Sequence, residues 1–214
     1  MCNLYRMTKN VDEVARWFDA INEAGGANIA SEVYPGYPGL VVAEGNVRSM
    51  SWGFPLERKG KSGQPLKPRP VNNARTDKLD SYFWRYSFTE RRCLIPLTAW
   101  AEAEGPKGAK TRTWMSPAGD GTLFACAGLW RESDAFGQAY AMVMTDAASS
   151  PAAEVHARMP VLLAREDHGR WLSGSPEEAK SLCKAWRGEL TIERSDQPWS
   201  GASAPAAQAQ KGLF

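Results

Sequence analysis

Histidine is scarce in this 214-residue chain: only His156 and His168 exist, so chemistry that needs an imidazole has two addresses. Cysteine is nearly as sparse. Cys2, Cys93, Cys126 and Cys183 lack the close spacing of metal ligands and form no disulfide framework, which excludes a stapled secreted scaffold and leaves no metal expected. Long apolar runs are missing too. No stretch of about 18 apolar residues suggests a membrane span, and the start lacks the basic-then-apolar pattern of a signal sequence. Charge of one sign is absent overall, since 26 Lys/Arg oppose 24 Asp/Glu for a net +2. These absences lead to the expectation of a cytoplasmic protein with reduced thiols, no membrane partner and no cofactor.

What remains is an ordinary globular composition, 43% apolar and 23% charged, long enough to bury a sizeable core. The charge is unevenly spread. Between Arg58 and Arg92 ten Lys/Arg stand against three acids, Asp77, Asp80 and Glu90. Trp52, Phe54, Tyr82, Phe83, Trp84 and Tyr86 interleave with them. Aromatic faces for bases and cations for phosphates are the mixture that single-stranded nucleic acid requires, although a charge run is also how a solvated loop reads.

Apolar spacing predicts an amphipathic helix over residues 10–23, ended by Gly25-Gly26. Strands are expected at 40–43, 47–54, 94–100, 123–130 and 139–145, and helical segments at 77–85, 166–173 and 176–186. Residues 59–70, rich in Gly, Pro and Lys, read as a mobile surface loop. The tail from Ser195 is poor in large apolar side chains and is expected to be disordered, leaving a single domain over 1–194. The fold class expected is α+β, an antiparallel barrel-like or sandwich-like β core flanked by short helices.

Cys2 carries the most specific chemistry. Removal of Met1 would make it a terminal 1,2-aminothiol, whose amine condenses with an aldehyde to an imine before sulfur closes a thiazolidine ring. No internal cysteine can do this, because its nitrogen is an amide. Asn72-Asn73-Ala74-Arg75 follows the basic stretch, and alone would read as turn or cap residues. Glu102 ends an apolar strand, where burial would raise its pKa into a range useful for passing protons. His156 precedes Val161-Leu162-Leu163 and could be structural or stand at a cleft; His168 reads as a surface residue.

Taken in order, Met1-Cys2, Asn73-Ala74-Arg75, Arg92-Cys93-Leu94-Ile95-Pro96 leading to Trp100-Ala101-Glu102, and His156-x-Arg158-Met159-Pro160 resemble the SOS response-associated peptidase (SRAP) family over about residues 1–175. The resemblance implies a sensor of abasic sites in single-stranded DNA that crosslinks covalently through its terminal cysteine, with autopeptidase and AP-lyase activity as further expectations. It places the catalytic set on Cys2, Asn73, Glu102 and His156. Contacts to DNA are expected from Arg75, Lys78 and Arg158, with Trp52 and Phe54 stacking on bases. The partner expected is single-stranded DNA containing abasic sites, bound by a monomer.

The chain also departs from the family pattern. Asn3-Leu4-Tyr5-Arg6 replaces the usual Gly-Arg after the cysteine, with Arg6 as a candidate substitute for the missing charge. Residues 31–38 read SEVYPGYP where an Asn-Val-Ala-Pro type of segment is usual, and the surroundings of Glu102 lack an Asp-Gly and a second aromatic. Two other functions fit parts of the sequence. An N-terminal nucleophile amidohydrolase or amidotransferase would use the same cysteine on an amide. A non-catalytic single-strand binder would need only the basic stretch.

Overall fold

The computed structural model describes residues 2–118 and 122–199. It is an α+β fold of mostly antiparallel strands with short helices at its margins. The heart of it is a ring. Strands Gly137–Asp146, Phe124–Ser133, Arg92–Leu97, Pro38–Ala43 and Asn46–Trp52 pair in that order, and the last returns to the first through Ala139↔Ser51 and Tyr140↔Trp52. A sheet closed this way has no free edge around its girth. Leu162–Leu163, Arg158–Pro160 and Asn73–Arg75 add to the ring's outer run of strands.

The ring closes because its strands carry apolar side chains at nearly every position. Arg92–Leu97 is buried throughout, and Phe124–Ser133 is buried over its first seven residues. The interior holds Trp52, Tyr140, Tyr5, Cys93, Cys126 and Ile95, all without exposed surface. The Tyr5 and Tyr140 hydroxyls share a hydrogen bond of 2.5 Å. Gly39 permits it: a Cβ there would lie 2.1 Å from the Tyr140 hydroxyl and 2.2 Å from that of Tyr5.

A second, five-stranded antiparallel sheet runs Leu190–Pro198, Thr111–Pro117, Ala99–Glu104, Tyr5–Arg6 and Glu32–Val33. Its first strand contains residues 195–198, so the ordered domain extends past the expected boundary at 194. Residues 200–214, the rest of the expected tail, lie outside the described residues. The two sheets meet at Tyr5, which pairs with Trp100 in one and fills the interior of the other.

Local chemistry shortens the first helix to Val11–Phe18. Asn10 and Glu13 form a reciprocal capping box, each bond 2.9 Å, and Asp19 adopts the left-handed conformation (φ 52°) that stops the helix. The 77–85 segment is a 3-10 turn over Thr76–Lys78, and the helix comes later, Arg85–Glu90. Arg92, counted among the basic stretch, is buried. It donates to the carbonyls of Phe88 (2.7 Å), Thr89 (3.2 Å), Trp171 and Gly174, joining the last turns of helices Arg85–Glu90 and His168–Ser173. His168 is half-buried rather than a surface residue, stacked on Phe18 with ring centroids 5.5 Å apart.

Residues 59–70 hold the largest local difference from expectation. Phe54–Lys59 and Pro65–Val71 pair into a two-stranded antiparallel arm of their own, with a bulge at Glu57. Among the described residues no helix is long and apolar enough to cross a membrane. All four cysteines are free, with Cys93 and Cys126 buried as small core residues.

Candidate functional site

Four chain segments converge on Cys2. The antiparallel register of Tyr5–Arg6 on Ala99–Glu104, extended by the Ala101 N–H donating to the Leu4 carbonyl (2.9 Å), runs the chain toward Cys2 along this strand, and the Glu102 carboxyl acts electrostatically on the Cys2 thiol. The short strand Asn73–Arg75 lies parallel to Gly137–Asp146, Asn73 opposite Met142. Arg158–Pro160 flanks the same long strand, Arg158 opposite Asp146, which brings His156 to the site just ahead of it.

The backbone of Cys2 is gripped from one side. Asn73 Nδ2 donates to the Cys2 carbonyl at 2.7 Å, and Asn72 Nδ2 donates to the same oxygen at 3.0 Å and to Asn3 Oδ1 at 3.1 Å. Asn73 Oδ1 is buried and accepts no hydrogen bond among the described residues. An unsatisfied buried acceptor beside the Cys2 main chain is costly unless a donor arrives. The Cys2 thiol, without exposed surface in the chain that carries Met1, points to the Leu4 carbonyl at 3.5 Å. Burial, with the charge of Glu102 added, pushes this thiol far above its ordinary pKa, so it is held as S–H.

Glu102 is 2% exposed, and burial raises its pKa above the usual carboxylate range; His156 pulls in the opposite direction. His156 Nε2 lies 4.0 Å from Glu102 Oε2. On the far side of the ring, Nδ1 lies 3.0 Å from the Arg158 backbone nitrogen and 3.1 Å from the Arg158 carbonyl oxygen. Nδ1 thus has both a donor and an acceptor of Arg158 within reach, and which it uses depends on the tautomer, while Nε2 faces Glu102. A carboxyl whose pKa is raised by burial, next to an imidazole, is a pair suited to passing protons.

The four residues expected to be catalytic are therefore together. The expected DNA contacts divide. Arg75, paired with Asp77 at 2.8 and 2.5 Å, Lys78 and Arg158 all retain solvent access. Trp52 and Phe54 do not: both have no exposed surface, so stacking on bases from these positions is ruled out. Trp52 packs against Tyr5 (5.0 Å between centroids) and donates from Nε1 to the Asn72 carbonyl at 3.1 Å. Phe54 lies under the Arg131 guanidinium at 4.2 Å and beside Trp84 at 5.1 Å. Strand alternation sends both inward, a direction that composition does not give. Arg6 is engaged as well, paired with Glu32 at 3.3 Å and stacked on Trp114 at 3.6 Å.

Asn72 shares the clasp on Cys2, although in sequence it reads as a turn or cap residue whose one signal is adjacency to Asn73. The Asn72–Asn3 contact also explains the departure at position 3, since the asparagine there replaces a glycine with a second partner for the clasp. A cleft of about 350 Å³ opens beside Asn72, whereas a larger one of about 800 Å³ around Trp130 touches none of these residues. Among the described residues no group of three or more His, Cys, Asp or Glu could hold a metal.

The family model for the SOS response associated peptidase (SRAP) matches residues 1–196. No curated protein matches the chain. Solved structures with the same fold include a Bordetella bronchiseptica protein, 22% identical over 91% of this chain and 99% of its own, with a TM-score of 0.75. A Bacteroides thetaiotaomicron protein is 18% identical over 90% of this chain and 91% of its own, TM-score 0.73. A phage-related protein of Bordetella bronchiseptica is 19% identical over 92% of this chain and 95% of its own, TM-score 0.66. With a family model spanning nearly the whole described chain, and a fold shared with these structures, the chain belongs to the SOS response associated peptidase family.

Proposed function

We propose that this protein captures abasic sites in single-stranded DNA as a thiazolidine on Cys2 once Met1 has been removed, by self-cleavage or by an aminopeptidase. Membership of a family associated with the SOS response supports a role in the response to DNA damage. The observation that carries the proposal is the double amide clasp on the Cys2 carbonyl, which fixes the one residue whose nitrogen and sulfur must both react.

The chemistry follows in balanced steps. The α-amine of Cys2, with an ordinary pKa of about 7.7–8.0, is partly neutral near pH 7 and adds to C1′ of the ring-opened sugar. Asn73 Oδ1 accepts an N–H of that amine and so acquires the donor it lacks. The resulting carbinolamine loses water, its hydroxyl leaving with a proton from Glu102, and the nitrogen returns a proton to Glu102 to give the imine. Sulfur then adds to the imine carbon while the thiol proton passes by way of Glu102 or His156 to nitrogen. The sum is aldehyde plus aminothiol giving thiazolidine plus water. Nitrogen attacks first and sulfur second, because the ring closes on the imine carbon that the amine has made. His156 exchanges protons with the sugar oxygens, assisting ring opening and reversal. An imine that persists loses the 3′ phosphate by β-elimination, which is the lyase route.

An amidohydrolase would require the thiol to attack first, and burial opposes the thiolate that this demands. The test is an abasic oligonucleotide on a denaturing gel. Wild-type protein lacking Met1 gives a heat-stable shifted band, and Cys2→Ala gives none. Cys2→Ser gives a band only when borohydride reduces the imine. A heat-stable band from Cys2→Ser without reductant would overturn the mechanism.

A further inference from the structure

A second groove lies apart from Cys2. The helix expected over 176–186 stops at Ser181, and residues 182–187 run on without regular structure. They are nevertheless pinned. Thr145 Oγ1 donates to the Cys183 carbonyl at 3.4 Å, and the Ala118 N–H donates to the Glu189 carbonyl at 3.3 Å. The Trp186 indole packs on Gly188, where a Cβ would lie 2.7 Å from Nε1. This segment, helix His168–Ser173 and strand Leu162–Leu163 border a groove of about 560 Å³, and none of the residues around Cys2 lines it. A groove fixed in this way costs a ligand little to order.

Its lining has two kinds of chemistry. Leu162, Leu182, Ala185 and Trp186 give it apolar surface. Lys184 and Arg187 stand beside them, exposed, and neither forms an ion pair among the described residues. Asp167, the one acid among the described residues of the lining, is already paired with Arg170 at 2.9 Å. Scattered surface cations are ordinary solvated groups. Two unpaired cations flanking an apolar floor are the arrangement of a binding rim. Trp186 Nε1 is buried and donates to nothing among the described residues, so an acceptor oxygen that reached it would meet an unmet demand.

Charge and shape decide the occupant. Residues 200–214 of the chain itself contain Lys211 and no acid, the wrong sign for this rim. A nucleic acid strand suits the cations, but Trp186 is the one aromatic among the lining residues and is half-buried, so the aliphatic side chains gain nothing from bases. A peptide with large apolar side chains between Asp or Glu residues satisfies both halves of the groove.

We propose that this groove docks an acidic segment of another protein, a leucine or phenylalanine side chain of it seated against Leu162, Leu182 and Trp186, and its carboxylates on Lys184 and Arg187. The docking is independent of the chemistry at Cys2: it brings the protein to a partner and takes no part in the reaction.

The test uses the full chain and a fluorescein-labelled peptide, Asp-Asp-Leu-Phe-Asp-Asp, followed by fluorescence anisotropy. Lys184→Gln with Arg187→Gln weakens binding about two- to thirtyfold, the worth of two exposed ion pairs, and the difference shrinks at high salt. Lys184→Glu with Arg187→Glu loses this peptide and binds the one in which lysines replace the aspartates. Alanines in place of the leucine and phenylalanine weaken binding by about tenfold or more. Both double variants crosslink an abasic oligonucleotide as wild type does. No binding of the acidic peptide by wild type, or equal binding by the Gln variant, overturns the proposal. Displacement of the peptide by an undamaged oligonucleotide, or loss of crosslinking in the variants, overturns it by assigning the groove to nucleic acid. Self-association of wild type that the variants lack, seen by sedimentation, overturns it by assigning the groove to a second copy of the chain.

Discussion

At Glu102 the fold buries a carboxyl, and burial has a cost that depends on pH. Burial raises its pKa, so the folded protein holds a proton there more tightly than the unfolded chain does. Unfolding releases that proton once the pH exceeds the ordinary glutamate value of about 4.3. The contribution of Glu102 to stability therefore declines as pH rises from there through the folded-state pKa, and the deficit persists above it. Glu102→Gln removes the ionisation. Thermal unfolding followed from pH 4.5 to 8 is expected to show wild type and variant converging at the acid end, with the variant the more stable at pH 8. For a chain of this length each kcal/mol recovered is about 2–4 °C. On the mechanism proposed above, the same variant is expected to crosslink more slowly, because an amide cannot pass the proton that the carbinolamine needs to lose water. A variant no more stable than wild type at pH 8 would place the pKa of Glu102 in the ordinary range.

Among elements, the last turns of two helices are joined by a single side chain. Arg92 donates to carbonyls at the C-terminal ends of both Arg85–Glu90 and His168–Ser173. Arg92→Met keeps the aliphatic stem but orphans those acceptors, at a cost of about 3 kcal/mol. The melting temperature is expected to fall by about 6–12 °C in a calorimetric scan; a loss under 2 °C would show that the carbonyls find other donors. Such a role could not be read from sequence, where Arg92 counts as one more cation in a basic stretch. Strands with strong apolar runs, such as Arg92–Leu97 and Phe124–Ser133, were legible because their burial is continuous. The arm was not, since Pro, Lys and Gly are composition cues for loops. Leu190–Pro198 was hidden for a similar reason: Leu190 and Ile192 are its only large apolar residues, and pairing with Thr111–Pro117 holds it. That Cys2, Asn73, Glu102 and His156 come together was legible through ordered motifs, whereas Trp52 and Phe54 were misplaced because composition counts aromatics without giving their facing.

For the molecule as a whole, the last strand is a clasp on the five-stranded sheet. Arg112, buried and paired with Glu32 at 2.9 Å, donates to the Pro198 carbonyl at 3.2 Å, and Ser195 donates to the Arg112 carbonyl at 2.8 Å. Truncation after residue 189 strips both bonds and uncovers the outer edge of Thr111–Pro117, at a cost of about 2–3 kcal/mol. A melting temperature lower by roughly 5–10 °C is expected, and an unchanged one would make the strand dispensable. The sheet so completed and the closed ring behind it leave Cys2 no exposed surface and a thiol that stays protonated. Peroxide oxidises thiolates that it can reach. A sulfur that is both protonated and enclosed is spared, so the chain that still carries Met1 is expected to keep its Cys2 thiol unoxidised, a form of shelf life set by the fold.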